Sequence, residues 1–158
     1  MMNHVHDKLV IRKMEENDMV PYDLLTLADP NLYLVKSYMK RGVTYLAQLE
    51  EETVGVYVLI DTRPETMELV NIAVDEKFHG MGIGKKLVLH AIESAKSTGV
   101  KTLEIGTGNS SLSQLGLYQK CGFRLTGIDK DFFVRHYDEE IYENGIQCVD
   151  MVRLGIDF

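Results

Sequence analysis

Glycines at positions 80, 82 and 84, with Lys85 and Lys86 directly behind them, give this chain its clearest chemical signal. The stretch reads Glu68-Leu-Val-Asn-Ile-Ala-Val-Asp75, then Glu-Lys-Phe-His79-Gly-Met-Gly-Ile-Gly84-Lys-Lys86. It is an apolar strand, a glycine loop and the start of a long amphipathic helix. Glycine has no Cβ, so the amides of such a loop can approach a ligand closely. A helix N-terminus adds unpaired N–H groups and about half a positive charge, a combination suited to an anion. Acidic residues usually occupy a first helical turn. Here two lysines do, each costing roughly 0.3–1 kcal/mol unless an anion faces it. A phosphate or pyrophosphate satisfies the arrangement. The spacing excludes a P-loop, because Gly80 and Gly84 are too close and Lys86 stands where Ser or Thr is required. It also fails the dinucleotide pattern G-x-G-x-x-G, at Lys85 in one register and at Leu87 in the other. Taken alone, the loop leaves open a flexible strand-to-helix turn with no ligand.

A second segment narrows the choice. Leu117-Tyr118-Gln-Lys120-Cys121-Gly122-Phe123 closes another amphipathic helix and leads into a strand. A loop of the form [Q/R]-x-x-G-x-[G/A] after a strand, then a helix ending in L-Y-x-K-x-G-F, resembles the GNAT superfamily of acetyl-CoA-dependent N-acetyltransferases. The resemblance runs from about Leu9 to Leu154 and is strongest from Glu68 to Phe123. It implies acetyl-CoA as cosubstrate and no metal. The pyrophosphate would lie on the amides around Met81, Gly82, Gly84 and Lys85, with the Lys85 or Lys86 side chain reaching a phosphate. Ile72, Ala73, Val74, His79, Gly80, Ile83, Asn109 and Lys120 are further cofactor contacts implied by the family pattern. Two departures stand out: His79 replaces the usual Arg or Gln, and two extra residues separate Asn109 from Tyr118.

Acetyl transfer to an amine requires removal of a proton from the amine, stabilisation of developing charge and a proton for the departing thiolate. Glu68, the first residue of the motif strand, matches a Glu-x-x-x-x-Ala-Val setting found in protein-lysine members of the family. It is the candidate base, directly or through a water. A solvent-exposed strand end is the alternative. Tyr118 is the candidate acid, since a tyrosine of pKa near 10 can return a proton to a thiolate. Its alternative is a packed aromatic on a helical stripe with Leu112 and Leu115. His4, His6, His90 and His136 form no metal-ligand spacing. Tyr22, Tyr33 and Tyr38 lie on two early helices, with core packing as their default role.

Positioning these residues requires a particular order of elements. Alternation predicts a strand over 8–13, helices over 22–28 and 32–41, and strands over 43–49, 53–61 and 66–74. A 3.6-residue stripe of Ile83, Leu87, Val88, Ala91, Ile92 and Ala95 predicts a helix from about Gly82 to Thr98, ended by Gly99. A strand over 102–107, a helix over 111–120 and a strand over 124–128 follow. Asn144-Gly145 predicts a hairpin between strands 140–143 and 146–154. The order is that of an α/β or α+β chain with a mixed sheet. The resemblance implies the GNAT fold, mostly antiparallel with splayed central strands.

The bulk properties exclude several classes. At 158 residues the chain suits one domain spanning residues 1–158, burying roughly 70% of its extended surface. Its longest apolar run, Val54 to Ile60, is too short to cross a membrane. The N-terminus lacks a signal-peptide core, and Cys121 and Cys148 read as reduced thiols, so a cytoplasmic location is expected. A formal charge of −7 argues against nucleic acid and suits a cationic substrate. From Asp129 to Glu143, six carboxylates face only Lys130 and Arg135. The expected activity is acetyl transfer to a primary amine by direct attack in a ternary complex, with a cationic small-molecule acceptor. A protein lysine or N-terminus is the rival acceptor, and a non-catalytic acyl-CoA sensor the rival function. A homodimer stays open.

Overall fold

The computed structural model describes residues 8–158; His4 and His6 lie outside them. In chain order the elements are β1 (Leu9–Lys13), α1 (Tyr22–Ala28), α2 (Leu32–Arg41), β2 (Val43–Leu49), β3 (Glu52–Arg63) and β4 (Thr66–Val74). After a short 3-10 turn come α3 (Ile83–Ser97), β5 (Thr102–Gly108), α4 (Leu112–Lys120), β6 (Arg124–Asp129) and α5 (Phe132–His136). A small hairpin, β7 (Tyr142–Glu143) with β8 (Ile146–Gln147), precedes β9 (Met151–Asp157). Seven strands form one sheet in the order β1-β2-β3-β4-β5-β9-β6. Only β4 and β5 run parallel.

Two apolar layers enclose this sheet, and β3 shows why. Its run from Val54 to Ile60 is buried throughout, as a strand covered on both faces must be. Val54, Tyr57 and Leu59 join the layer under α3 and α4. Val56, Val58 and Ile60 join the layer under α1 and α2. The stripe on α3 buries the six residues its periodicity predicts. Gly55 lets that helix come close: a Cβ there would lie 2.9 Å from Leu87 Cδ1.

The central pair separates partway along. β4 and β5 are paired only from Thr66/Thr102 to Leu69/Ile105. β4 then continues to Val74 on β3 only, while β5 stays on β9 as far as Gly108. A β-bulge between Val58 and Leu59, opposite Val70, lies at the branch point. The sheet therefore forks, with one arm ending at the glycine loop.

Two expectations fail in the C-terminal third. The hairpin at Asn144-Gly145 exists, with both turn residues at positive φ, but its strands are two residues long. The Cys148 amide still bonds across to the Ile141 carbonyl at 2.7 Å, but Val149 and Asp150 leave the ladder before β9 begins, because the side-chain oxygen of Asn109 accepts from the amides of Val149 (2.8 Å) and Asp150 (3.0 Å). The stretch before the hairpin contains α5, whose five residues are too few to show a period.

Candidate active site

The glycine loop is built from its own short-range bonds. The Asp75 side chain accepts from the Lys77 amide at 3.0 Å and caps the turn after β4. His79 Nε2 lies 2.9 Å from the Val74 carbonyl, so its ring is tied to the end of β4. Gly80 and Gly82 have φ of 79° and 80°, a region that other residues enter at a cost. Gly82 caps α3, and the first intrahelical bond runs from the Lys86 amide to the Gly82 carbonyl. The amides of Ile83, Gly84 and Lys85 therefore open the helix. No acid occupies its first turn, and Lys85 is exposed. Gly84 is less demanding, since a Cβ there would sit 3.7 Å from Leu117 Cδ2, an ordinary contact.

Glu68 occupies the base of the fork. Its register partners are Ile60 on β3 and Glu104 on β5, one step before the pairing ends. The carboxyl is half-buried. Burial pushes its pKa up, and nearby Glu104 adds to this, while Arg153, Arg41 and Arg63 pull it down. Arg63 and Arg153 are engaged elsewhere: Arg63 binds Glu104 at 2.7 Å and Arg153 binds Asp129 at 2.6 Å. A carboxylate with a raised pKa is a stronger base than an ordinary one. The alternative of a solvated strand end does not match its half-burial.

Tyr118 is 5% exposed and belongs to the layer under α3 and α4. The motif around it has a local explanation. Gly122 at φ 108° ends α4 and sends its amide to the Gln119 carbonyl, while the Phe123 amide returns to the Tyr118 carbonyl, each at 3.0 Å. This is a Schellman closure. It brings the Phe123 ring edge-on to Tyr118 at 6.2 Å. Burial, with a smaller contribution from Cys121, raises the phenol pKa well above its ordinary value. The hydroxyl has no hydrogen-bond partner among the described residues.

The remaining candidates divide. Ile72, Ala73 and Val74 all lie on the part of β4 that pairs with β3 but has left β5. Lys120 is exposed in the last turn of α4. The Asn109 side chain is committed to the backbone of residues 147–150, its Nδ2 also donating to the Gln147 carbonyl at 3.1 Å. The extra residues after it have a use: Ser111 Oγ donates to Glu143 at 2.9 Å and ties the hairpin to the start of α4. Default core packing fails for Tyr33, which is 80% exposed, and for Tyr22. His90 is half-buried, its Nδ1 2.7 Å from the Tyr57 hydroxyl.

Sequence reasoning missed one polar cluster. Asn71, on β4 and 3% exposed, donates from Nδ2 to the Leu25 carbonyl at 2.9 Å and to the Tyr38 hydroxyl at 2.7 Å. Its Oδ1 has no partner among the described residues. Tyr38 and Tyr137 both donate to Asp29, at 3.4 and 3.2 Å. Burial raises both phenols, that of Tyr137 to about 12. The only signal in the sequence was a lone asparagine in an apolar strand.

Comparison with known proteins accords with this geometry. A model of the acetyltransferase (GNAT) family matches residues 11–123. An uncharacterised N-acetyltransferase of Bacillus subtilis, YvbK, is 60% identical, covering 95% of this chain and 97% of its own. The structure of an acetyltransferase from Bacillus cereus, described as acting on IAA, is 54% identical, with a TM-score of 0.91 over 95% of this chain and 99% of that one. A GNAT acetyltransferase from Elizabethkingia anophelis, solved with acetyl-CoA bound, is 48% identical, with a TM-score of 0.94 over 96% and 99%. The forked sheet, the acid-free helix start behind Gly80 and Gly82, and these matches lead to one assignment: the chain belongs to the acetyltransferase (GNAT) family.

Proposed function

We propose that this chain, acting as one domain, transfers the acetyl group of acetyl-CoA to an amine by direct attack in a ternary complex. The observation that carries the reading is the fork. Glu68 stands at its base on the face covered by α1 and α2, and Tyr118 belongs to the opposite layer. A substrate lying between the arms would have a proton acceptor on one side and a donor on the other. The residues fit acetyl-CoA: the amides of Ile83, Gly84 and Lys85 and the Lys85 side chain take the pyrophosphate, with His79 holding the loop to β4. The edge of β4 from Ile72 to Val74 that β5 leaves open accompanies the pantetheine. Asn109 acts by positioning the segment after β8 rather than by touching the cofactor. The thioester supplies an activated acetyl group. Glu68, directly or through water, takes the proton that the attacking amine must lose as the C–N bond forms. Tyr118 gives a proton to the thiolate as the C–S bond breaks.

The acceptor in this reading is a small cation. Asp138, Glu139 and Glu140 are exposed beside a concavity of about 120 Å³ at Tyr137 and Cys148, and such a field attracts positive charge. Two of the other acids in this stretch are engaged, Asp129 by Arg153 and Glu143 by Ser111. A second reading is favoured by a different observation. Met19, Leu27, Leu32, Tyr33 and Leu34 are all exposed on or before the two early helices, which suits an acceptor with an apolar body. Release of CoA thiol should be measured with polyamines, aromatic amines, a lysine peptide and IAA. Saturable release with a cationic amine, weakened by salt and by replacing Asp138, Glu139 and Glu140 with Asn or Gln, supports the first reading. Release with none of them, despite acetyl-CoA binding, would leave only an acyl-CoA sensor.

A further inference from the structure

The sheet ends in two unlike edges. At one, β1 carries Arg12 and Lys13, with Arg12 bound to Asp18 at 2.7 Å. Charged residues of this kind discourage a further strand from pairing. At the other end β6 bonds, among the described residues, to β9 alone, and all six of its residues are exposed. Its sequence is Arg124-Leu-Thr-Gly-Ile-Asp129, with charges only at its two ends. A register shift between Leu125 and Gly127 sets Leu125 opposite Leu154 and Ile128 opposite Val152. Both partners belong to the layer under α3 and α4, so Leu125 and Ile128 lie on one face. They are nonetheless 58% and 65% exposed.

We propose that β6 is the contact between two copies of this chain, paired antiparallel with itself across a two-fold axis between Thr126 and Gly127. The strand is complementary to its own reverse. In this register Arg124 of one copy faces Asp129 of the other, Leu125 faces Ile128, and Thr126 faces Gly127. Cross-strand apolar and opposite-charge pairs are the units that stabilise a sheet, and an isologous interface repeats each of them twice. Asp129 can take part without giving up its internal bond. Arg153 Nε and Nη2 both donate to Oδ2, which leaves Oδ1 for Arg124 of the other copy. The middle of the strand is open: a Cβ added at Gly127 would meet nothing within 4 Å.

Sedimentation equilibrium tests this with two variants at exposed positions, Leu125→Lys with Ile128→Lys, and Leu125→Glu with Ile128→Glu. Acetyl-CoA binding serves as the control for folding. The wild type should have twice the 18.0 kDa chain mass. Each variant alone should fall to the single-chain mass, because like charges then face each other. Mixing the two should restore the double mass, because the register sets each lysine against a glutamate. A wild type of single-chain mass overturns the proposal. So does a dimer that survives in either variant, and so does a mixture that stays monomeric.

Discussion

Tyr118→Phe separates the two roles open to this tyrosine, because the structure assigns packing to the ring and leaves the hydroxyl unbonded. The ring is enclosed by the layer under α3 and α4 and meets Phe123 edge-on at 6.2 Å. Phenylalanine keeps all of that. The hydroxyl makes no hydrogen bond among the described residues, so its loss should change stability by no more than about 1 kcal/mol. In a chain of this size that moves the melting temperature by roughly 2–4 °C. Emptying the site with Tyr118→Ala should instead cost about 3–5 kcal/mol. If the hydroxyl supplies the thiolate's proton, Tyr118→Phe should lower turnover by roughly 10²–10⁴-fold, equivalent to about 3–5 kcal/mol of barrier. The Michaelis constant for acetyl-CoA should hardly move. The assay is CoA release under saturating acetyl-CoA, run beside thermal melts of both variants. Full turnover in the phenylalanine variant would assign Tyr118 to packing alone. A large loss of stability in that variant would mean that the hydroxyl has a structural partner, and the argument from an unbonded group would fail.

Glu68→Gln removes a base whose pKa burial has raised. The variant's rate should fall at neutral pH and recover in part as the pH rises and the free amine becomes abundant; pH–rate profiles that overlay would exclude Glu68 as the base. Gly82→Val places a β-branched residue at φ 80°, costing at least about 1–2 kcal/mol of helix-start geometry. It should abolish the roughly 5–11 °C rise in melting temperature that acetyl-CoA at a hundredfold excess gives the wild type, and an undiminished rise would remove the loop from the site. Tyr38, Tyr57 and Tyr118 all have phenol pKa values raised by burial. The unfolded chain therefore loses these protons first, so the stability they contribute is full below pH 10 and declines above it; chemical denaturation at pH 8 and pH 11 should show the difference, and equal midpoints would contradict it.

Where the sequence was legible, the bonds that shape it are local. The α3 stripe, its end at Gly99 and the turn at Asn144-Gly145 each depend on residues close to one another in the chain. Propensity and periodicity suffice there. The illegible parts depend on distant partners. Val149 and Asp150 leave the ladder because of Asn109, about 40 residues earlier. α5 gains a bond from the Phe133 amide to the Val149 carbonyl, which no window around Phe133 contains. Asn71 is held by Leu25 and Tyr38, 46 and 33 residues away, and Asp29 meets Tyr137 across 108 residues. A motif places Glu68 and Tyr118 in the chain. Only the register of β4 against β5 puts Glu68 at the point where the strands part.

The two candidate proton carriers are shifted in the same direction, and the consequence for the reaction is specific. Acetyl transfer from a thioester to an amine is neutral in protons, with one leaving the amine and one reaching the thiolate. An acid with a raised pKa is intrinsically a poorer donor, which at first argues against Tyr118. Yet in the proposed ternary complex the thiolate would depart beside Tyr118, where desolvation would disfavour its charge as it disfavours the phenolate. The difference between donor and acceptor is thus smaller than the phenol's shift alone suggests. Burial also keeps the resting Tyr118 protonated across the working range, so the proton it gives the thiolate in each turnover is regained from solvent at any such pH. On the other face, the raised pKa of Glu68 brings the base closer to neutrality, where it accepts a proton more readily. The rate should therefore rise with pH through the titration of Glu68 and of the amine, and then level off without a descending limb near pH 10. A descending limb there that vanishes in Tyr118→Phe would show a phenol of ordinary acidity, and with it a Tyr118 far more open to water than this fold makes it.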